Sequence, residues 1–142
     1  MSDERFIDNG NDTITDTKTD LTWFKKDSRQ IKNKWIHQIK AGEFSAEMNA
    51  QKFAGYEDWR VPKLEDVKTI FDKSFTLMAV GNDEIHIPRV FEPGCADNTW
   101  TDTLNGEKAM VFNLIKGRSS WINKFGEGPF AVRLVRGARR KE

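Results

Sequence analysis

The sequence predicts a single α+β domain of antiparallel strands with two main helices and long loops. Three observations carry that prediction. Short β-prone runs occupy both ends of the chain, from Phe6 to Phe24 and again from Asn98 to Val135. Helical patterns lie between them instead of alternating with strands, which separates α+β from a parallel α/β sheet. The length of 142 residues suits one domain with a core of its own.

The first strands are set by their turns. Arg5-Phe6-Ile7-Asp8 and Thr13-Ile14-Thr15-Asp16 flank Asn9-Gly10, and Asn and Gly accept the positive φ of a tight hairpin. A second turn over Asp16–Asp20 leads into Leu21-Thr22-Trp23-Phe24. In residues 28–41, Ile31, Trp35, Ile36 and Ile39 recur at helical spacing, which predicts an amphipathic helix. Gly42 interrupts it, and Ser45 is placed to cap a following helix with Met48, Phe53 and Ala54 inward. Gly55 is read as a C-terminal cap. Pro62 ends an extended stretch, and a helix follows with Leu64, Val67, Ile70 and Phe71 facing the core. Glu65 and Asp66 suit its first turn, where negative charge meets the helix dipole.

Residues 73–98, with Pro88, Pro93 and Gly94, read as a long irregular excursion of the functional or mobile kind. Strands return at Asn98–Asp102, at Ala109–Ile115 with Met110, Phe112 and Leu114 on one face, and at Ser119–Ile122. The last runs through Phe130, Val132 and Leu134. The domain is taken as 1–137 and the basic tail as 138–142.

Composition excludes some classes. A net charge of +1 argues against a nucleic-acid coat. No apolar run approaches the roughly 18 residues of a membrane span. The opening MSDERFID has no apolar signal core, so the expected location is cytoplasmic, or secreted and surface-bound if a leader was trimmed. Cys95 is the single cysteine, read as a buried thiol and not a nucleophile. Arg133, Arg136, Arg139, Arg140 and Lys141 make the end of the chain basic, read as a solvated end or an anion-binding one.

Four ordered blocks resemble one family. They are the opening Arg5–Asp16 with Leu21-Thr22-Trp23; Gly55-Tyr56-Glu57-Asp58-Trp59-Arg60-Val61-Pro62; Trp100-Thr101-Asp102-Thr103; and Val132-Arg133-Leu134-Val135-Arg136-Gly137. Together they resemble the Lcl C-terminal domain family, a bacterial domain long without an assigned function. The Trp-Arg-x-Pro block before a helix is also similar to formylglycine-generating enzymes. The resemblance implies a C-type-lectin-like fold and a binding or surface role; one family member binds sulfated glycans. Formylglycine-generating chemistry needs a cysteine pair, and Cys95 stands alone.

The expected function is a non-catalytic recognition module for a glycan or protein, using the loops of residues 82–124. The alternative is a structural subunit that assembles into a homo-oligomer. Trp100 and Trp121 are offered as stacking faces, or else as core. Asp102, Arg118 and Lys124 join them as ligand candidates, the two cations for an anionic group. Asp58, Trp59, Arg60, Pro62, Arg133 and Arg136 are read as architecture. His37 and His86 lack ligand-like spacing, and Asp8, Asp12, Asp16 and Asp20 do not follow a calcium loop. No metal or cofactor is expected, nor a nucleic-acid or membrane partner.

Overall fold

The structure, a computed structural model, describes residues 5–126 and 128–139. It is α+β. Strands β1 (Phe6–Asp8), β2 (Thr13–Asp16) and β3 (Leu21–Phe24) form an antiparallel meander. Helices α1 (Ser28–Lys32) and α2 (Gln38–Ala50), a 3-10 turn at Phe53–Gly55 and helix α3 (Leu64–Ile70) follow. A two-residue ladder pairs β4 (Leu77–Met78) with β5 (Glu84–Ile85). Strands β6 (Asn98–Asn105), β7 (Lys108–Asn113) and β8 (Arg118–Asn123) make a second antiparallel meander. Strand β9 (Val135–Arg136) returns to β3, with Thr22 opposite Arg136. The ends of the domain therefore meet in one sheet, as the distribution of β-prone runs requires.

The first hairpin forms where Asn9-Gly10 places it. Gly10 takes φ +80, and its N–H donates to Asp8 Oδ1 at 2.9 Å. The run of spaced aspartates is turn chemistry and pairing. Asp12 and Asp20 hold left-handed turn positions, Asp8 pairs with Lys25, and Asp16 receives Arg5 through two bonds of 2.8 Å.

The expected helix over 28–41 is wrong in extent and in face. Asp27 caps α1 and Gln30 reaches back to it, but Asn33 turns left-handed (φ 57) and stops the helix after five residues. The chain then runs extended to His37, and α2 passes through Gly42 and Ser45 without a break. Ser45 lies mid-helix, its hydroxyl donating to Gly42 O at 2.7 Å. The buried face of α2 is Gln38, Ala41, Phe44 and Met48, and Ile31, Trp35 and Ile39 are exposed. Gly55 takes φ +88, but it ends the 3-10 turn and not α2.

Two apolar clusters share the core. One gathers Ile14, Leu21, Trp23, Val67, Ile70 and Phe112 with Leu77, Ile85, Ile87, Phe91 and Cys95 from the excursion. Residues 73–98 are therefore anchored to the core at several points, with 80–84 left exposed between them. The other cluster gathers Phe24, Phe44, Met48, Trp59, Trp100, Val111, Val132 and Leu134. Residues 131–135 are buried throughout. They do not form the continuous strand expected of them. Phe24, Ser28 and Trp100 instead donate backbone N–H bonds to Leu134, Val132 and Ala131 in turn.

Candidate functional site

The architectural residues do what their chemistry suggests. Trp59 is 2% exposed, and its indole donates to Phe53 O at 3.0 Å. Arg60 bridges Asp66 Oδ2 (2.7 Å) and Gly137 O (2.8 Å), tying α3 to the chain end. Asp58 accepts both arms of Arg136, at 2.7 and 3.1 Å, and that hydrogen-bonded guanidinium holds its carboxyl below the usual range. Arg136 also covers the Tyr56 ring at 3.9 Å. The carbonyl of Pro62 accepts from Asp102 N at 2.9 Å. Lys63, at the start of α3, provides no side-chain cap, and Asp66 reaches back to its N–H at 2.9 Å.

Arg133 sits inside the fold and not on a solvated end. It is 4% exposed and donates to Phe24 O (3.0 Å) and Lys25 O (2.6 Å). Its guanidinium lies 4.6 Å from the Phe91 ring centre. Arg139 Nε approaches the buried Asp66 Oδ1 at 3.4 Å. Arg133 and Arg136 are thus structural, and Arg139 is exposed beside Asp66; Arg140 and Lys141 lie outside the described residues.

Beside Arg133 sit Asp27 and Cys95. Burial pushes the Asp27 carboxyl up, Arg133 opposing it, and Asp27 accepts from Ala96 N (2.8 Å) and Gln30 N (3.1 Å). A cavity of about 10 Å³ touches Trp23, Asp27, Thr99 and Arg133, room for one water and no ligand group. Burial also raises the Cys95 thiol from 9.0 to about 11, and thiolate is the reactive form. Cys95 is therefore expected to resist Ellman's reagent in the folded protein and to react promptly in denaturant. By linkage, its contribution to stability is full below pH 9.0 and is lost as pH rises towards about 11. A native protein that labels as fast as the unfolded chain contradicts this.

The five ligand candidates do not form one site. Trp100 is fully buried, with its indole donating to Ile36 O at 2.8 Å, so it offers no stacking face. Trp121 is exposed, but it and Arg118 are three residues apart on β8 and point to opposite faces. Asp102 faces Lys63 at 3.6 Å. Lys124 comes near a concavity through its neighbours: its Nζ lies 5.8 Å from the Phe125 ring, which meets His37 edge-on at 6.2 Å.

That concavity is an open groove of about 810 Å³ between the α1–α2 connection, α2 and residues 128–129. Its position follows from the break at Asn33. The extended stretch is pinned on both sides: Ile36 N donates to Phe130 O at 3.0 Å and Ile36 O accepts from Trp100. Ile36 packs on the core, so its neighbours Trp35 and His37 alternate outward. Arg29 lies over Trp35, 5.0 Å from the ring centre. His37 caps α2 through Nδ1, accepting from Lys40 N at 3.4 Å. Along the wall, Lys32 pairs with Glu47 and Lys40 with Glu43. Gly128 closes the far side, where a Cβ would stand 2.6 Å from the Phe130 ring. His86, by contrast, is structural, its Nδ1 2.8 Å from Phe75 O.

Sequence reasoning missed Trp35 because its spacing matched a helix face. The available signal was Asn33 inside Lys32-Asn33-Lys34, a residue that readily turns left-handed and ends helices.

Comparison with known families matches residues 12–136 to the Lcl C-terminal domain. The chain belongs to the Lcl C-terminal domain family. The match spans β2 to β9, all three helices and residues of both core clusters, and leaves β1 outside it. Searches of curated proteins and of solved structures find no match to this Lcl C-terminal domain. No helix among the described residues is long and apolar enough to cross a membrane.

Proposed function

We propose that this Lcl C-terminal domain is a non-catalytic recognition module of C-type-lectin-like build, and that its ligand, a glycan or a protein segment, lies in the Trp35 groove. One observation carries the reading. The groove combines an exposed indole held in place by Arg29 with a polar wall of paired charges. Ligand sites combine an apolar platform with a few placed polar groups in this way. A held aromatic ring also loses little freedom on binding.

The candidate acids and bases support a non-catalytic role. Asp27, Asp58 and Asp66 are taken up by capping and Arg pairing, and Cys95 is held protonated. Binding to a panel of neutral and sulfated glycans, with calcium and then with chelator, tests the reading. Trp35→Ala is expected to lower affinity at least tenfold, as truncation of an aromatic anchor does, and Trp121→Ala to leave it unchanged. Retention of affinity by Trp35→Ala overturns the groove assignment.

A homo-oligomer is the second reading, and β8 is the observation in its favour. Among the described residues it is paired only with β7, and it is exposed along most of its length. Such an edge can accept another strand, and mass in solution across a concentration series tests it.

A further inference from the structure

The charges on the groove wall decide what chemistry suits it. Three lysines, Lys32, Lys34 and Lys40, line the groove with two carboxylates, Glu43 and Glu47. Lys32 is matched by Glu47 and Lys40 by Glu43, and Lys34 has no ion pair among the described residues. Among the described residues the groove lining thus carries a net +1, with four of its five charges in pairs and Arg29 a further cation over Trp35. A sulfate or carboxylate wants donors alone; here it would meet two carboxylates, whose repulsion disfavours it. A hydroxyl group both donates and accepts. Side-by-side ammonium and carboxylate groups supply both partners within one short reach. Ion pairs this exposed are weak, so they can open to such a ligand.

The apolar part agrees. Trp35, Ile36, Phe44 and Pro129 share the groove with the charged wall. Arg29 already lies over one face of Trp35, which leaves one ring face for a partner that is flat and apolar on one side and polar at its edges. A pyranose ring has that form, with its C–H face for the indole and its equatorial hydroxyls for the Lys–Glu pairs.

We infer that the Trp35 groove selects an uncharged saccharide, stacked on Trp35 and hydrogen-bonded by the Lys32–Glu47 and Lys40–Glu43 pairs. The inference rests on the reading of this groove as the ligand site and adds the ligand's charge class. The test titrates the full chain with neutral tetra- to hexasaccharides of glucose, xylose and N-acetylglucosamine. Heparin and dextran sulfate are run in parallel, each at 50 and 500 mM salt. The expected result is a neutral oligosaccharide whose affinity changes less than about twofold with salt. That affinity falls at least tenfold in Trp35→Ala and is partly kept in Trp35→Tyr. Trp35 lies outside both core clusters and is 38% exposed, so both variants are expected to fold, and Glu43→Gln with Glu47→Gln gives a second arm that keeps the indole. Removing both carboxylates should weaken the neutral ligand and admit the sulfated one. If sulfated chains alone bind, lose affinity more than tenfold with salt and still require Trp35, the charge class is overturned while the groove stands. If no saccharide of either kind depends on Trp35, the groove reading fails with it.

Discussion

Replacing Arg133 with alanine is expected to lower the free energy of unfolding by about 3 to 5 kcal/mol, the range for breaking a buried charge cluster on one side. The guanidinium satisfies the carbonyls of Phe24 and Lys25 and stacks over Phe91. It also opposes the burial that pushes Asp27 towards its neutral form. Its removal takes a donor from two carbonyls where β3 passes into α1, leaving Lys25 O with only the Glu92 N–H at 3.1 Å, and leaves the Asp27 cap without its countercharge. The double variant Arg133→Ala with Asp27→Asn should lose less than the sum of the two single changes, because the groups share one environment. Urea unfolding of the four proteins measures this. A loss under about 1 kcal/mol, the level of an ordinary surface change, would return Arg133 to the solvated tail.

Trp100→Ala is expected to cost about 3 to 5 kcal/mol, the usual loss for deleting a core indole, and Trp121→Ala at most about 0.5 kcal/mol, as at a surface position. The contrast follows from burial. Trp100 is enclosed, tilted against Phe130 at 5.0 Å, and donates to Ile36 O. Trp121 stands 41% exposed on edge strand β8. Trp100→Ala should also disturb the groove from behind, since its indole helps pin the stretch that presents Trp35 and His37. A Trp100→Ala protein that keeps its full stability but loses ligand would exchange the roles of Trp100 and Trp35.

The strands of the two meanders were legible because their determinants are local, whereas β4 and β5 lay inside the excursion and the alternation of residues 130–135 did not make a strand. Asn9-Gly10 and alternating β-prone runs place β1 and β2, and the matched pattern at the chain end returns β9 to β3. Trp59, Arg60 and Asp58 could be read as architecture from the block they form. The groove was not legible, because it depends on one residue changing its backbone sign. With Asn33 left-handed, Trp35 leaves the helix face that its spacing suggested and turns outward beside His37. The ligand candidates chosen by residue type failed for a related reason. Whether Trp100 or Trp121 shows a face depends on what packs across β7 from distant parts of the chain, such as Ile36 and Phe130. Arg133 could be read as architecture from its block, but its partners Phe24, Asp27 and Phe91 lie far off in the chain and were not legible.

The most direct measurement uses the five indole N–H signals of the protein's five tryptophans, followed by ¹H–¹⁵N spectroscopy as the neutral and sulfated saccharides are added in turn. A binding saccharide is expected to shift the Trp35 indole strongly and to leave that of Trp121 in place. A shift confined to Trp121, or no shift of Trp35 with any saccharide, would contradict the claim that this groove is where the Lcl C-terminal domain takes its ligand.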